Sequence, residues 1–344
     1  MRVLIATDAW HPQINGVVRT LAGLVNELER RGIEVRILSS AGSRSVPCPT
    51  YPDIRLAPAT RRGVGAAIDA FAPDAIHIAT EGPIGFQTRR VALARGQPFT
   101  TSFHTRFPEY LRRRAPVPER LTYAFLRRFH APAQACLVPS EGIRADLAAR
   151  GFRNLATWTR GVDPALFRPT APAALALPGP VFMTVSRIAP EKGLEAFLDL
   201  DLPGSKLVVG DGPLLPALRR RYPKVHFAGL QTGEALAAHY AAGDVFVFPS
   251  RTDTFGVVLV EALACGLPVA AFPEPGPMDV VAGSGAGVLS EDLRLACLGA
   301  LSLKREAALR RARDFTWERC ADVFLASMVR GARPAADARR ALAA

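Results

Sequence analysis

No apolar stretch of this chain is long enough to cross a membrane. Runs such as Val245–Phe248 have a few residues, whereas a membrane-spanning helix needs about 20. Met1 leads directly into an apolar run that starts at Val3, without the basic segment and cleavage site of a signal peptide, so we expect a cytoplasmic protein. The five cysteines are an odd number and form no C-x-x-C pair, which argues against a disulfide framework and a zinc site.

Lysine is also scarce. The chain has 43 basic residues and a formal net charge of +12, and its lysines are Lys192, Lys206, Lys224 and Lys304. Nearly all of the positive excess lies in residues 1–170. Such a one-sided field suits nucleic acid, an anionic membrane surface or an acidic substrate. In this arginine-rich chain, a lysine at a motif position is more informative than usual.

Two series of strands alternate with amphipathic helices, which is typical of parallel sheets covered by helices. The first series is predicted at Arg2–Thr7, Glu34–Ser39, Ala75–Ile78, Phe99–Phe103 and Ala135–Pro139, with its clearest helix at Val17–Arg31. The second series is predicted at Val181–Ser186, Lys206–Gly210, Val225–Ala228, Val245–Pro249 and Val269–Phe272. A proline-rich stretch separates the two series. We therefore expect two doubly wound, Rossmann-like α/β domains with a cleft between them.

Two loops of the second series follow strands, at the edge where parallel sheets bind ligands. The Arg-Lys loop, Ser186–Gly193, carries Arg187 and Lys192 ahead of a predicted helix. Two cations and a helix N-terminus can hold a diphosphate there, although a solvated loop has the same composition. The second loop is the Gly-Asp-Gly turn, formed by Gly210, Asp211 and Gly212. Its glycines would let the backbone approach a ligand closely, although a tight turn alone explains them equally well.

A third loop, the acidic loop Pro249–Gly256, carries Asp253, and Glu261 follows eight residues later, about two turns along. Backbone N–H groups at the start of the predicted helix suit a phosphate or a sugar hydroxyl, namely those of Thr254, Phe255 and Gly256. Glu261 stands in an apolar stretch, so it should be buried and should need donors such as ribose hydroxyls. Alternatively, Asp253 caps the helix and Glu261 bonds to a neighbouring loop.

These motifs together resemble the second domain of the retaining glycosyltransferases of family 4, which have the GT-B fold. The resemblance rests on R-x4-K-G, V-G-D-G-P and an acidic-x7-E segment that continues as A-L-A-C-G-L-P-V. The first half is similar to the same family at residues 7–19, Phe103–Thr105 and Arg160–Asp163. The sequence F-T-W-E-R at 315–319 resembles the start of the last helix, which in this fold returns to the first domain.

The resemblance implies domain limits. We expect an acceptor-binding domain at 1–165, a linker at 166–180, a nucleotide-sugar-binding domain at 181–314, a crossing helix at 315–330 and a tail at 331–344.

The resemblance also implies roles for matching residues. Arg187 and Lys192 neutralise the diphosphate leaving group, as is usual without a metal, and Glu261 binds the nucleoside ribose. Gly16 lets backbone N–H groups face the phosphates, and His104 contacts the transferred sugar. The expected catalytic group is His104, Arg187, Lys192 and Asp253, and the expected donor contacts are Gly16, Arg187, Lys192, Gly210, Asp211, Gly212, Thr254, Phe255, Gly256 and Glu261. No metal and no other cofactor is expected.

Two further points follow from the resemblance. Asp253 stands where the family commonly has Glu, which keeps the charge but leaves the donor sugar open. The implied reaction retains the anomeric configuration, yet no pair of carboxylates like that of retaining glycosidases is evident. The acceptor hydroxyl is then expected to attack on the donor's front face, hydrogen-bonded to the departing diphosphate, with positioning and charge stabilisation providing most of the rate.

The segment 106–128 interleaves arginines with aromatic and leucine side chains. Such a surface suits a helix lying on anionic lipid, and an arginine-rich solvated helix face is the alternative. The residues expected to touch the acceptor or the membrane are Arg112, Arg113, Arg114, Arg127 and Arg128. Nucleic-acid binding is not expected, because no recognition motif accompanies the charge.

The sequence therefore predicts a transferase peripheral to the inner face of the cell membrane. It moves a hexose or hexuronic acid from a nucleotide sugar, with a UDP-sugar favoured, to a lipid acceptor such as diacylglycerol. The opening and T-D-T-F-G motifs look most like the branch of sulfoquinovosyl-, glucosyl- and glucuronosyl-diacylglycerol and mannosyl-lipid transferases. One alternative is a GDP-mannose- or UDP-sugar-dependent enzyme with a soluble or polysaccharide acceptor. An alternative of another class is a non-catalytic protein that binds nucleotide sugars.

Overall fold

The computed structural model describes residues 1–13, 15–40, 46–48, 51–114 and 117–328, with the backbone alone at 47, 48, 51–55, 113 and 114. The side chains of Arg113 and Arg114 and the expected tail 331–344 lie outside the described residues. Within the described part of the chain, no helix has the length and apolar character needed to span a bilayer.

The chain divides into two compact units. Unit 1 comprises Met1–Pro139, Arg144–Trp158 and Cys320–Ala344, and unit 2 comprises Ser140–Ile143 and Thr159–Arg319. These limits are close to the expected domain limits without coinciding with them. Residues 166–180, expected as a linker, fall in unit 2, where Leu175 and Leu177 pack against the core.

A parallel six-stranded sheet forms the centre of unit 1. The strands of the first half are β1 Arg2–Ala6, β2 Glu34–Leu38, β3 Val46–Cys48, β4 Tyr51–Leu56, β5 Ala75–Ile78, β6 Thr100–Ser102, β7 Cys136–Val138 and β8 Leu155–Thr157. Its helices are α1 Gly16–Arg30, α2 Arg61–Phe71, α3 Pro83–Ala94, α4 Phe107–Arg114, α5 Glu119–His130 and α6 Glu141–Ala149. The sheet order is β2-β1-β5-β6-β7-β8, and β3 and β4 form a separate antiparallel pair.

Helix α1 shows how sequence signals set one of these elements. The Asn15 side chain accepts a hydrogen bond from the Val18 backbone N–H at 3.0 Å and caps the helix. Its buried stripe includes Leu21, Leu24 and Leu28, spaced as one face of a helix requires. Gly32, with φ of 74°, follows the last turn in the left-handed conformation that ends many helices.

Unit 2 is built on a second parallel six-stranded sheet. The strands of the second half are β9 Val181–Val185, β10 Ser205–Val209, β11 His226–Gly229, β12 Val245–Phe248, β13 Val269–Ala271 and β14 Gly287–Leu289. Its helices are α7 Glu195–Leu198, α8 Leu215–Arg221, α9 Gly233–Ala241, α10 Val257–Ala264, α11 Pro275–Val281, α12 Leu293–Ala300, α13 Arg305–Ala312 and α14 Trp317–Ser327, with a 3₁₀ turn at Pro190–Lys192. The order is β11-β10-β9-β12-β13-β14, and α14 belongs to unit 1 from Cys320 onward.

The central strands of unit 2 are buried on both faces. In β12, Val245 and Val247 pack into one hydrophobic cluster, whereas Phe246 and Phe248 pack into the cluster on the opposite face. A strand covered on both faces by helices reads as a continuous apolar run, which is why the sequence predicts these strands well. The predicted α/β class with two doubly wound parallel sheets is confirmed.

All ten strands named above as predictions are present within about two residues at each end. The sequence missed β3, β8 and β14, which have three residues each, and β4. The predicted strands β6, β7 and β13 are equally short but are buried throughout, whereas β8 and β14 are only partly buried and lack such a continuous apolar run.

The cysteines whose side chains the structure describes are buried and form no disulfide: Cys136, Cys265, Cys297 and Cys320. Burial raises the pKa of the Cys265 and Cys297 thiols to about 12, so neither forms much thiolate near neutral pH. Cys265 and Cys297 are small members of the two hydrophobic clusters of unit 2.

Candidate functional site

The strand order of unit 2 reverses at β9. This strand lies between β10 and β12, so the chain leaves it once in each direction along the sheet. Ligands of open α/β sheets bind at such a reversal, outside the carboxyl ends of the strands. The loops that follow β9 and β12 are the Arg-Lys loop and the acidic loop, which are therefore neighbours.

Two contacts join these loops. Lys192 Nζ lies 2.6 Å from Asp253 Oδ1, in a pair whose side chains are 21% and 17% exposed. The Thr252 hydroxyl donates to the Glu191 carbonyl oxygen at 3.0 Å. The structure thus brings together Lys192 and Asp253, two residues that the sequence placed in the catalytic group from separate motifs.

Arg187, the other cation of the Arg-Lys loop, has a carboxylate neighbour at its guanidinium group. Its Nη1 lies 3.9 Å from Oε1 of Glu191, whose side chain is buried. The Arg187 side chain itself is partly exposed. The loop continues into the 3₁₀ turn and then Gly193, with φ of 58°, before the short helix α7.

The Gly-Asp-Gly turn packs against the Arg-Lys loop. A Cβ atom at Gly210 would lie 1.9 Å from the Ser186 carbonyl oxygen, and one at Gly212 would lie 2.4 Å from that of Ile188. The Ile188 N–H also donates to the Asp211 carbonyl oxygen at 2.8 Å. These glycines therefore let two backbones of the protein meet, and their expected contact with the donor stays a prediction.

The acidic loop turns into helix α10 at Gly256. This glycine has φ of 84°, and a Cβ there would lie 2.8 Å from Phe248 Cζ. Thr254 and Phe255 are buried, and the Phe255 ring packs against Phe315 at 5.9 Å between centroids. The backbone N–H groups of this turn thus lie at the start of α10, as predicted.

Glu261 is buried, as its apolar surroundings predicted, with 3% exposure. Its Oε2 accepts a hydrogen bond from the Tyr240 hydroxyl at 2.9 Å. Tyr240 lies on α9 and was not among the residues singled out from the sequence. The one signal was a hydroxyl-bearing aromatic residue on the apolar face of that helix.

Among the polar atoms at this reversal, the second carboxylate oxygen of Asp253, Oδ2, and the Ser186 hydroxyl oxygen are buried without a hydrogen-bond partner among the described residues. Buried polar atoms in native proteins nearly always have partners, so this acceptor and this hydroxyl suit a partner from outside the chain, either ordered water or a polar ligand. Ser186 was not among the residues singled out from the sequence.

In unit 1 the sheet order reverses at β1, between β2 and β5. Asp8, which follows β1, is buried and accepts hydrogen bonds from the Thr80 hydroxyl at 2.8 Å and the Ile84 backbone N–H at 2.9 Å. Burial raises the pKa of Asp8, and these donors oppose the shift.

At Gly16, an added Cβ would meet no atom of the described residues within 4 Å. Packing within the described chain therefore does not require glycine at this position.

His104 follows β6 in unit 1. Its Nε2 lies 2.8 Å from the Ser102 hydroxyl oxygen, and its ring meets the edge of Trp158 at 6.0 Å between centroids. Gly16 and His104 both follow strands of unit 1, whereas the other expected catalytic and donor-binding residues belong to unit 2.

The arginines expected at a membrane are placed differently from one another. Arg112 forms an ion pair with Glu119 at 2.9 Å, and Arg127 donates to the Arg150 carbonyl oxygen at 2.8 Å. Arg128 is exposed on α5. The same helix exposes Leu121 and Phe125, at 58% and 50%.

The described residues contain no group of three or more His, Cys, Asp or Glu side chains that could hold a metal ion. Metal independence stays a prediction.

The chain is similar to known proteins over both of its halves. The profile of Glycosyltransferase Family 4 matches residues 14–166, and that of Glycosyl transferases group 1 matches residues 179–300. A GDP-mannose-dependent alpha-mannosyltransferase of Mycolicibacterium smegmatis is 31% identical over 319 residues, which cover 84% of each chain. Sulfoquinovosyl transferase SQD2 of Arabidopsis thaliana is 34% identical over 258 residues, which cover 70% of this chain. That match spans 50% of the plant protein.

A third relative is alpha-monoglucosyldiacylglycerol synthase of Streptococcus pneumoniae, 26% identical over 88% of this chain and 78% of that protein. Among solved structures, sucrose-phosphate synthase of Thermosynechococcus elongatus superposes with a TM-score of 0.73 at 19% identity, covering 94% and 97% of the two chains. Alr3699/HepE of Anabaena in complex with UDP-glucose has a TM-score of 0.71 at 18% identity, covering 95% and 99%. These structures share the fold.

The close approach at Gly210 predicts a stability difference between two glycines. Gly210→Ala should lower the free energy of unfolding by about 3 kcal/mol or more, because its Cβ meets the Ser186 carbonyl oxygen. Gly229→Ala is the matched control, since Gly229 also has positive φ (73°) but has open space at Cβ. It should cost about 1 kcal/mol, the strain of the backbone alone. Equal losses in urea unfolding would contradict the proposed packing role of Gly210.

Proposed function

Since the chain belongs to glycosyltransferase family 4, we propose that it moves a hexose or hexuronic acid from a UDP-sugar to a lipid acceptor such as diacylglycerol, forming an α-glycolipid. Glycosyl transfer from a nucleotide sugar is the activity of its family. The donor, the acceptor and the roles of individual residues are the proposal.

The observation that carries the proposal is the group of polar atoms at the strand reversal of unit 2. Lys192 is oriented by Asp253 at 2.6 Å, while Asp253 Oδ2 and the Ser186 hydroxyl are buried without partners among the described residues. A nucleotide sugar supplies a diphosphate for the lysine and sugar hydroxyls for the carboxylate. Asp253 thus orients the lysine with one oxygen and accepts from the donor sugar with the other.

The leaving diphosphate sets the electrostatic demand. Arg187 and Lys192 stabilise the negative charge that develops as the sugar–phosphate bond breaks. Glu261, which accepts from Tyr240, holds the ribose hydroxyls with its carboxylate. Because both cations already have carboxylate neighbours, they need little reorganisation when the donor binds.

Bond formation follows the retaining pattern. The acceptor hydroxyl attacks the anomeric carbon on the face that the diphosphate leaves, and its proton passes to the departing phosphate oxygen. His104 contacts the transferred sugar and orients it for this attack. The sugar therefore keeps its α configuration.

The surface of α5 supports a lipid acceptor. Leu121 and Phe125 lie one turn apart and are largely exposed, and Arg120 and Arg128 are exposed on the same helix. Phe125 also packs on Phe86 of α3, with 5.4 Å between ring centroids, which extends the apolar area. An apolar stripe flanked by arginines suits the boundary of an anionic membrane.

A second candidate differs in donor and acceptor. It is a GDP-mannose-dependent transferase with a soluble or polysaccharide acceptor, and the relative from Mycolicibacterium smegmatis favours it because the match covers 84% of both chains.

A donor panel tests both candidates. Purified protein is incubated with UDP- and GDP-sugars and diacylglycerol liposomes in EDTA, and the lipid extract is analysed by mass spectrometry. A hexose- or hexuronate-sized mass gain with a UDP-sugar is the expected result. Release of GDP or UDP without a glycolipid would move the acceptor to a soluble glycan, and absence of any turnover would contradict the proposal.

The ion pair at the reversal predicts a selective loss of activity. Lys192→Ala removes a cation from the leaving group, so kcat/KM should fall roughly 10²–10³-fold. Lys224→Ala is the matched control because Lys224 is an exposed lysine of the same unit and belongs to none of the motifs. Steady-state kinetics that show equal values for the two variants would rule out the role assigned to Lys192.

The exposed apolar stripe predicts membrane affinity. The double variant Leu121→Ser with Phe125→Ser should weaken binding to phosphatidylglycerol vesicles at least roughly tenfold, because apolar area no longer enters the lipid. Leu295→Ser is the control, since Leu295 is 58% exposed on α12 of unit 2. Vesicle co-sedimentation measures the binding of both variants. Unchanged binding of the double variant would exclude this surface as the membrane contact.

A further inference from the structure

A row of polar side chains lies on one face of the unit 1 sheet and ends at His104. Successive residues of a strand face opposite sides, so Thr100 and Ser102 share a face. His77 of β5 is the register partner of Thr100. Its Nδ1 lies 2.8 Å from the Thr100 hydroxyl oxygen, and its Nε2 lies 3.1 Å from that of Ser102. The Ser102 oxygen in turn lies 2.8 Å from His104 Nε2.

This row is shielded from water. His77 is completely buried, and Thr100 and Ser102 are each 1% exposed. The rings of Trp158 and Phe324 close over His77, at 6.2 and 5.0 Å between centroids. Hydrogen bonds in such surroundings are strong, and each proton has a defined position.

The Ser102 hydroxyl has one proton and two imidazole neighbours, which couples the two histidines. If His77 donates from Nε2, the Ser102 proton goes to Nε2 of His104, whose own proton then sits on Nδ1. If Ser102 donates to His77 instead, His104 must carry its proton on Nε2. The Ala79 carbonyl oxygen, at 3.4 Å, is a more distant acceptor for Ser102.

The hydrogen bond of Thr100 distinguishes these two arrangements of the protons. Its hydroxyl has two acceptors in reach, His77 Nδ1 at 2.8 Å and the Met328 sulfur at 3.6 Å. An imidazole nitrogen is a far better acceptor than a thioether, so Thr100 donates to His77 Nδ1. His77 then donates from Nε2 to Ser102, and Ser102 donates to His104.

We propose that His77 is a positioning residue for His104: through Ser102 it fixes His104 as the tautomer protonated on Nδ1. His104 then carries its hydrogen-bond donor on Nδ1. The inference rests on the proposed function, in which His104 contacts the transferred sugar and donates to one of its hydroxyls. His77 acts on the reaction through this tautomer alone.

The test compares variants by nitrogen NMR of histidine side chains and by kinetics. His104 is assigned by loss of its signals in His104→Gln. Wild type should show His104 protonated on Nδ1, and Ser102→Ala or His77→Leu should move the proton toward Nε2. The same variants should lower kcat roughly tenfold with little change in the donor KM. His77→Gln keeps a donor toward Ser102, so it should restore part of the wild-type His104 tautomer and part of kcat.

Thr101→Val is the matched control. Thr101 faces the other side of β6, where its hydroxyl lies 2.9 Å from Nδ1 of the buried His130, so the variant removes an equivalent hydroxyl from a separate histidine. It should leave the His104 signals unchanged. A His104 tautomer that stays the same in Ser102→Ala would overturn the proposal, even if His77→Leu does not fold. A changed tautomer with unchanged kcat would overturn the positioning role and, with it, the sugar contact proposed for His104, while the glycosyltransferase activity itself would stand.

Discussion

The reversal of strand order at β9 is the constraint on which the site of unit 2 depends. It places the loops after β9 and β12 side by side, so charged residues from distant parts of the sequence become neighbours. The result is the ion pair of Lys192 and Asp253, 61 residues apart in the chain. Because both side chains are mostly buried, removing either one leaves a charge without its partner, which is costly.

Contacts between loops also hold the backbone around this pair. The Gly-Asp-Gly turn presses against the carbonyl oxygens of Ser186 and Ile188, and Thr252 bonds to the Glu191 carbonyl. In the reaction proposed above, the rate depends on groups that are already in place when the donor binds. Close packing of three loops is a physical means to that end.

The sequence predicts what depends on periodicity and on local composition. The central strands were found because helices cover both of their faces, as Val245 to Phe248 illustrate, and Glu261 was expected to be buried because its neighbours are apolar. The sequence could not identify Tyr240 as the partner of Glu261, because that hydrogen bond joins two helices. It also could not show that the turn glycines pack against carbonyl groups of another loop, and their contact with the donor stays a prediction.

The histidines of unit 1 show that some tertiary contacts can be predicted from the two-residue period of side chains along a strand. No motif in the sequence singles out His77, whereas His104 lies in the segment Phe103–Thr105 that resembles a family motif. Their link depends on Ser102, which shares a face with Thr100 because the side-chain period of a strand is two. Once β5 and β6 are known to be adjacent, that period places a hydroxyl between the two imidazoles. The sequence does not reveal which strands pair, and it is this pairing that joins His77, Ser102 and His104 by hydrogen bonds. A tertiary contact of this kind determines which nitrogen of His104 carries the proton, whereas the local sequence identifies only the residue type.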